Sequence, residues 1–186
     1  MFWLNSASPR RRQLMDLQPF AWQAIGYPAD ESGAEELPAK EQVLLLARRK
    51  AEAGALHAHG IVIGCDTLVE AEGRVLGKPK NEAEARGMLR LLSGGVHRVY
   101  TGLCLIDTET GVCRQGYEET RVHVAALSEE EIARYIASGE PFDKAGGYGI
   151  QGGFAPYVTG IEGCYYNVVG LPLARLYRMM CMFENR

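Results

Sequence analysis

The stretch Gly60-Ile61-Val62-Ile63-Gly64-Cys65-Asp66-Thr67 is a continuous apolar run that ends in two polar residues. An apolar run bounded by glycine in this way is typical of a strand that is buried on both faces. A carboxylate at the end of such a strand lies where α/β proteins commonly place the chemistry of a ligand site. Asp66 is therefore the first candidate functional residue, and the alternative is an ordinary turn residue at the end of a strand.

The segments around this run predict a chain in which helices and strands are interleaved. Caps, turn residues and hydrophobic periodicity define the segments. Helices are predicted over residues 38–53, 82–92, 129–138 and 171–182, and strands over residues 60–65, 68–70, 74–76, 97–107 and 112–124. The fold class is therefore α/β or mixed α+β, with a long mixed β-sheet and flanking helices. No linker or repeat divides the chain, so we expect residues 1–186 to form a single domain.

The composition argues against several classes of protein. Of the 186 residues, 47% are hydrophobic and 23% are charged, and the net charge of −3 argues against nucleic-acid binding through overall charge. The five cysteines are scattered without a Cys-x-x-Cys pair, so we expect reduced, buried thiols rather than a disulfide framework or a zinc site. No segment resembles a signal peptide or reaches the roughly 20 apolar residues of a membrane span. A cytoplasmic protein without a membrane partner is expected.

The turn Ser6-Ala7-Ser8-Pro9-Arg10-Arg11-Arg12 is a candidate anion site. Ser8 at the cap and Pro9 in the first turn predict a helix start that presents free backbone N–H groups. The guanidinium groups of Arg10 and Arg11 match phosphate oxygens two at a time. The alternative is that Ser8 caps a surface helix whose arginines are solvated, and this segment alone does not decide between the two.

A lysine and an acidic loop lie near one another in the sequence. Lys50 falls in line with the apolar stripe of the helix predicted over residues 38–53, so its ammonium group either extends to water or faces a polar cleft. The loop before this helix contains Glu31, which could bind a hard cation or belong to a solvated acidic loop.

Two further segments place polar side chains beside glycine and proline. Pro79 favours an extended backbone at Lys78, and the hairpin before it can bring Lys78 back beside Asp66. The glycine-rich stretch 140–153 is predicted to be a loop that projects Lys144, Tyr148 and Gln151 toward a ligand. The alternative for that stretch is a mobile surface loop.

Taken together, these cations surround at least one carboxylate, which suits a polyphosphate. Arginine and lysine offset its negative charges, and carboxylates can bind Mg²⁺ or Mn²⁺ and deprotonate a water molecule. Neither a P-loop nor a dinucleotide fingerprint is present, which disfavours an energy-coupled ATPase or a dehydrogenase. Hydrolysis of a nucleoside triphosphate is the resulting hypothesis.

Several motifs also occur in a fixed order along nearly the whole chain. They are Ser6-Ala7-Ser8-Pro9-Arg10-Arg11, Gly64-Cys65-Asp66-Thr67, Gly77-Lys78-Pro79, Leu92-Ser93-Gly94, Tyr100-Thr101-Gly102, Ser138-Gly139-Glu140-Pro141, Asp143-Lys144-Ala145-Gly146 and Asn167-Val168-Val169-Gly170-Leu171-Pro172. In these motifs the chain closely resembles the Maf family of nucleoside triphosphate pyrophosphatases. Asn5 and Cys65 depart from the alanine common in the family at both places, and Arg12 lies beyond the match.

The resemblance implies a reaction and a set of catalytic residues. The reaction is hydrolysis between the α and β phosphates, giving a nucleoside monophosphate and pyrophosphate with a divalent cation. Asp66 matches the proton acceptor of the family, and Lys50, Lys78 and Glu31 match its lysines and second acidic residue. The resemblance also implies a fold like that of inosine triphosphate pyrophosphatase, with two lobes around a central cleft, and a homodimer.

The resemblance extends to one branch of the family, which acts on dTTP and UTP. Arg10, Thr67 and Gln151 match its specificity positions, and a glutamine amide offers one donor and one acceptor edge to a pyrimidine. Two alternatives remain open. One is a pyrophosphatase for inosine or modified purine triphosphates, and the other is a non-enzymatic regulator of cell division that binds nucleotides or nucleic acid.

Overall fold

The strand predicted from the apolar run at residues 60–65 is the third of a seven-stranded mixed sheet. The structure is a computed structural model, and it describes residues 1–184. The strands are β1 (Phe2–Asn5), β2 (Trp22–Ile25), β3 (Ile61–Ala71), β4 (Arg74–Leu76), β5 (Val96–Asp107), β6 (Cys113–Val124) and β7 (Val158–Glu162). The helices are α1 (Pro9–Met15), α2 (Ala39–Ala55), α3 (Glu82–Leu92), α4 (Glu129–Ala137), α5 (Tyr165–Val169) and α6 (Leu173–Glu184).

The sheet has the strand order β2-β1-β3-β5-β6-β7, and β4 pairs with β3 outside this path. Strand β1 is parallel to both of its neighbours, whereas the β3–β4 and β6–β7 pairs are antiparallel. In the predicted hairpin, Val69 lies opposite Leu76. The mixed sheet with flanking helices, predicted as the fold class, is therefore confirmed.

The chain divides into two compact units. The first unit comprises residues 1–67 and 101–118 and the segment that begins at Gly170. The second unit comprises residues 68–100 and 119–169. The single domain expected over residues 1–186 stays a prediction.

In the first unit, helix α2 packs directly on the sheet at two glycines. A Cβ atom at Gly64 would overlap the backbone of Ala47 and Ala51, and one at Gly102 would overlap the backbone of Val43. Any larger residue would force the helix away from the sheet, because the overlap is with backbone rather than with a flexible side chain. This close packing fixes the turn of α2 that carries Lys50.

In the second unit, two helices begin as their capping residues predict. Asn81 accepts a hydrogen bond from the backbone N–H of Glu84 at the start of α3. Ser128 and Glu131 form the predicted capping box of α4. The helices are joined on the surface by ion pairs from Arg86 and Arg90 of α3 to Glu129 of α4, while their apolar faces are buried.

The structure differs from the sequence-based prediction in several elements. The segments predicted as separate strands over residues 60–65 and 68–70 form one strand, β3, because the chain continues straight through Asp66 to pair with β4. The expectation that Asp66 lies at the end of a strand is therefore wrong. Strands β2 and β7 and helix α5 were not predicted, and residues 140–147, predicted as a loop, contain two 3₁₀ turns, Glu140–Asp143 and Ala145–Gly147. Strands β2 and β7 lie at the two edges of the sheet. Edge strands keep exposed and polar residues, so they carry little of the alternation by which strands are recognised.

The structure also bears on the expected state of the cysteines and on the expected lack of a membrane-spanning segment. All five cysteines are free thiols, as predicted, but only Cys65 and Cys104 are buried, and Cys113 is exposed. The expectation that every thiol is buried is therefore wrong. Over residues 1–184, none of the helices combines the length and the apolar character that spanning a bilayer requires.

Candidate active site

Asp66 is buried near the middle of β3, and an ammonium group contacts its carboxylate. The residue is 7% exposed. Lys50 Nζ lies 2.5 Å from Asp66 Oδ1 and 2.7 Å from Glu31 Oε1. A carboxylate on a strand and a carboxylate in the loop before α2 thus converge on one nitrogen. These three residues, Glu31, Lys50 and Asp66, are called the aspartate centre below.

The contacts of Lys50 fix its protonation state. Burial acts to lower the pKa of Lys50, but the negative charge of Asp66 and the hydrogen bonds to Asp66 and Glu31 outweigh burial, so the pKa is raised above its ordinary value. Lys50 is therefore an ammonium group at neutral pH. Of the two alternatives predicted for this lysine, the structure shows the one in which it faces polar partners.

Asn5 anchors the backbone around this centre, a role that the sequence did not reveal. Its Nδ2 donates to the carbonyl of Lys50 at 2.7 Å and to the carbonyl of Tyr27 at 3.0 Å. Its Oδ1 accepts from the backbone N–H of Tyr27 at 2.7 Å. Asn5 is 3% exposed, so its amide joins the end of β1 to the start of the acidic loop and to α2. A polar residue at the end of a short apolar strand was the signal available.

The carboxylates of Glu31 and Asp66 are the kind of ligand that a hard cation prefers, and in this structure both are bonded to the ammonium group of Lys50. Mg²⁺ and Mn²⁺ prefer oxygen ligands, and Mg²⁺ commonly binds to one or two carboxylates together with substrate phosphates. Each carboxylate has a second oxygen besides the one bonded to Lys50. Among residues 1–184, no cluster of three or more His, Cys, Asp or Glu side chains is arranged to hold a metal ion.

Arg11 is held by three hydrogen bonds within the first unit. Its Nη1 donates to the carbonyl of Cys65, its Nη2 to Thr67 Oγ1 and its Nε to the carbonyl of Gly170, each at 2.9 Å. Thr67 Oγ1 also lies 2.9 Å from Thr101 Oγ1. The structure therefore brings Arg11 and Thr67 together beside Asp66, although the sequence proposed separate contacts with the substrate for them.

The rest of the arginine turn begins α1 as predicted. Ser8 is the N-cap, and its hydroxyl accepts from the backbone N–H of Arg11 at 3.5 Å. Arg10 lies half-buried in the first turn, and the exposed Arg12 donates to the carbonyl of Ser6. The capped helix is thus observed, and anion binding by Ser8 and Arg10 stays a prediction.

In the second unit, Lys78, Lys144 and Gln151 differ in how they are held. Lys78 follows β4 and is exposed, and Gln151 is also exposed. Lys144 Nζ donates to the carbonyl of Glu140 at 2.7 Å and to Asp143 Oδ1 at 2.6 Å. Their contacts with a substrate stay predictions.

Residues 144–153, called the glycine-rich segment below, are anchored by a buried tyrosine. The expectation that Tyr148 projects toward a ligand is wrong, because Tyr148 is 5% exposed and its hydroxyl lies 2.7 Å from His97 Nε2. The backbone N–H of Gly149 donates to the hydroxyl of Tyr135 at 3.1 Å, and Gly153 N–H donates to the carboxylate of Glu140. The segment is therefore ordered by packing and is not a mobile loop.

His97 is a buried neutral base. Burial, with a smaller contribution from the charge of His123, lowers the pKa of His97 to about 4. Its Nδ1 is buried without a hydrogen-bond partner in the described part of the chain.

The aspartate centre combines a buried carboxylate with an ammonium group and a second carboxylate on the same nitrogen. Carboxylates in such polar settings serve enzymes that activate water beside a cation. The mixed α/β fold and this centre are therefore compatible with a hydrolase. The model of the family described as Maf-like protein matches residues 1–183, and the chain belongs to this family.

Curated relatives match almost the full chain. A protein of Pelotomaculum thermopropionicum is 47% identical over 181 residues, covering 97% of this chain and 95% of the relative. One of Bacillus mycoides is 48% identical, covering 98% and 95%, and one of Koribacter versatilis is 49% identical, covering 95% and 91%. Each of the three is named dTTP/UTP pyrophosphatase.

Two solved structures show a weaker likeness. The Ham1 protein of Staphylococcus aureus matches with a TM-score of 0.47 at 15% identity, over 67% of this chain and 71% of that one. A nucleoside-triphosphatase, dITP/XTP pyrophosphatase, of Mycobacterium abscessus matches with a TM-score of 0.47 at 13% identity, over 99% and 96%. The family assignment rests on the sequence relatives.

Proposed function

We propose that this protein is a nucleoside triphosphate pyrophosphatase that hydrolyses dTTP and UTP, including modified pyrimidine triphosphates, to the monophosphate and pyrophosphate. The observation that carries the proposal is the 47% to 49% identity, over nearly the whole chain, to relatives named dTTP/UTP pyrophosphatase. The aspartate centre supports the proposal, because the Asp66 carboxylate can act as a base toward water while the ammonium group of Lys50 holds it in place.

Asp66 is the general base in this proposal. Its carboxylate accepts a proton as a water oxygen attacks the α-phosphorus, and the bond from the α-phosphorus to the bridging oxygen breaks to release pyrophosphate. Lys50 holds the carboxylate in place through its 2.5 Å contact and offsets negative charge that develops on the phosphate. The charge of Asp66 and the hydrogen bonds to Asp66 and Glu31 raise the pKa of Lys50 against the effect of burial, so its ammonium is charged when the reaction begins.

Glu31 and Asp66 are the residues that would hold the divalent cation, Mg²⁺ or Mn²⁺. When bound, such a cation polarises phosphate oxygens and neutralises their charge. The support for this cofactor is the pair of carboxylates on one nitrogen. Removal of the cation by a chelator is expected to abolish turnover, and added Mg²⁺ or Mn²⁺ is expected to restore it.

The remaining candidate residues have proposed roles in substrate binding. Ser8, Arg10, Lys78 and Lys144 would contact phosphate oxygens, since lysine and arginine are the usual partners of polyphosphates. Gln151 would read the pyrimidine through its amide. Family resemblance also supports a cytoplasmic homodimer. Light scattering of the purified protein tests the dimer, and a monomeric mass would contradict it.

A panel of nucleoside triphosphates with detection of pyrophosphate tests the function. We expect the highest kcat/KM for dTTP and UTP, and a preference for ITP would favour the purine alternative. Asp66→Asn should lower kcat by about 100- to 10,000-fold, the usual contribution of a general base. The control Glu130→Gln changes an exposed carboxylate on α4 and should leave kcat unchanged. Wild-type turnover by Asp66→Asn would contradict the role of Asp66.

Turnover and DNA-binding measurements on the same wild-type protein test the alternative of a non-enzymatic regulator. If the wild type hydrolyses no triphosphate with Mg²⁺ or Mn²⁺ but binds DNA in a salt-sensitive way, the enzyme proposal fails and the regulatory alternative is favoured.

A further inference from the structure

Arg11 makes its three hydrogen bonds to groups that flank Asp66. Cys65 and Thr67 are the residues immediately before and after Asp66, and Arg11 Nη1 and Nη2 each reach one of them at 2.9 Å. The third bond, from Nε, goes to the carbonyl of Gly170. One planar guanidinium group thus binds the residues on either side of Asp66 in the chain and ties this part of β3 to the segment before α6.

We propose that Arg11 is a positioning residue for Asp66 rather than a phosphate ligand, and that Thr67 and Thr101 complete this role. The inference rests on the proposed function, because it assigns Arg11 to the orientation of the general base. A guanidinium group has five N–H bonds in a fixed fork, and three of those of Arg11 are directed into the protein. A phosphate ligand would instead direct its fork at the substrate.

Thr67 is bound within this cluster through the same hydroxyl that the specificity hypothesis needs. Its Oγ1 accepts from Arg11, and its proton has two acceptors nearby, Thr101 Oγ1 at 2.9 Å and the carbonyl of Gly170 at 3.5 Å. A hydroxyl has one proton and two lone pairs, and these three partners within the protein can use all of them, whichever threonine donates in the Thr67–Thr101 contact. Thr67 therefore acts through Arg11.

Burial makes the cluster rigid. Thr101 is 0% exposed, and the buried thiol of Cys65 donates to the carbonyl of Gly170 at 3.3 Å. Removing a single partner leaves buried polar groups unpaired, and the backbone around Asp66 shifts to recover hydrogen bonds.

Substitutions of Arg11 separate positioning from phosphate binding. Lysine keeps the charge but cannot make three directed bonds, so Arg11→Lys and Arg11→Ala should both lower kcat by about 100-fold, the loss typical of a 1 Å misplacement, with KM within about threefold of the wild type. The control Arg178→Lys lies on an exposed position of α6 and should change neither parameter. A rise in KM for Arg11→Ala that Arg11→Lys reverses would overturn the proposal.

The threonines provide a second measurement that does not remove a charge. Thr67→Val and Thr101→Val keep the shape of the side chain and remove the hydroxyl, so each should lower kcat with little change in KM. Thr67→Ser and Thr101→Ser keep the hydroxyl and should restore kcat. Thr67→Val combined with Arg11→Lys should cost no more than Arg11→Lys alone, since both act on one cluster. Full additivity, or a changed ratio of dTTP to UTP turnover in Thr67→Val, contradicts the role of Thr67.

A crystal structure of Arg11→Lys gives a readout that needs no substrate. We expect the Asp66 carboxylate to move away from Lys50 Nζ, while α2 keeps its place on the sheet. If Asp66 does not move in this variant, the positioning role of Arg11 is overturned, whatever the wild type hydrolyses. A preference of the wild type for ITP, or the absence of triphosphate hydrolysis, contradicts only the proposed function. Failure of the positioning role and failure of the proposed function can therefore be told apart.

Discussion

The aspartate centre and the glycine-rich segment are ordered in opposite ways. In the aspartate centre the charged side chains bind one another, and Lys50 lies within 2.7 Å of two carboxylates. In the glycine-rich segment a buried aromatic side chain, Tyr148, holds the backbone, and the polar side chain of Gln151 is exposed. In the proposed function, the first arrangement holds the groups that react, and the second holds Gln151 where it would contact the substrate. Changes in the two regions should therefore affect different kinetic parameters.

The largest effect is expected from removal of the ammonium group at the aspartate centre. Lys50→Met leaves two carboxylates without their shared cation, so kcat should fall by about 100- to 1,000-fold, the range for loss of one charge-stabilising donor. Steady-state kinetics with dTTP and UTP measures it. Arg48→Met, which removes an exposed cation two residues before Lys50 on α2, is the matched control and should leave kcat unchanged.

An unchanged kcat in Lys50→Met would remove the distinction between the two regions. It would mean that Asp66 is held by the strand alone, and that the short contact with Lys50 contributes nothing to the reaction.

The second effect is a dependence of stability on pH that originates beneath the glycine-rich segment. The pKa of His97 is about 4 in the folded protein, below the ordinary value of 6.5, because burial penalises the imidazolium. The unfolded chain then binds the extra proton between these values, so stability is complete above pH 6.5 and is lost as the pH falls toward 4. The loss from this group is about 3 kcal/mol.

Urea unfolding at pH 7 and pH 4.5 measures this dependence. His97→Gln should show a smaller loss between the two pH values than the wild type, since glutamine does not titrate. The control His59→Gln changes an exposed histidine and should keep the slope of the wild type. Equal slopes for His97→Gln and the wild type would contradict a neutral, buried His97.

Sequence signals explain why parts of these regions were predictable. Helix α3 was predicted over residues 82–92 and runs over Glu82–Leu92, because an asparagine cap and an apolar stripe mark it locally. Asp66 was predictable as a candidate because it is the first carboxylate after a buried apolar run, but its position inside β3 was not, since the strand continues to Ala71. The partners of Arg11 were not, because a bond from Arg11 to the Gly170 carbonyl joins residues 159 positions apart and leaves no local pattern.

The glycine-rich segment shows what composition alone cannot predict. Its glycines predicted a loop close to a ligand, which stays a prediction, whereas the structure shows that a Cβ at Gly146 would lie 3.0 Å from the side chain of Val69. Composition could not show which of its side chains point inward. Tyr148 does so because its hydroxyl finds His97, a partner 51 positions away on β5.

The third effect concerns the anchor of the glycine-rich segment. Tyr148→Phe removes the hydroxyl that pairs with His97 Nε2 and leaves both ring nitrogens of the buried histidine unpaired, so the free energy of unfolding should fall by about 1–3 kcal/mol. Urea unfolding at pH 7 measures it. Tyr166→Phe, which removes the hydroxyl of an exposed tyrosine, is the matched control. A variant as stable as the wild type would show that packing of the ring alone holds the segment.

The smallest effect is expected from the exposed side chain that this anchor supports. Gln151→Ala removes a hydrogen-bonding amide without disturbing the buried Tyr148, so KM for dTTP and UTP should rise by about 3- to 10-fold while kcat stays within about twofold, because one neutral hydrogen bond contributes 0.5–1.5 kcal/mol. Steady-state kinetics with dTTP, UTP and ITP should show a smaller preference for the pyrimidines. A fall in kcat with an unchanged KM would instead place Gln151 in the chemical step. The glycine-rich segment would then contribute to catalysis as the aspartate centre does, and the expected difference between the two regions would be contradicted.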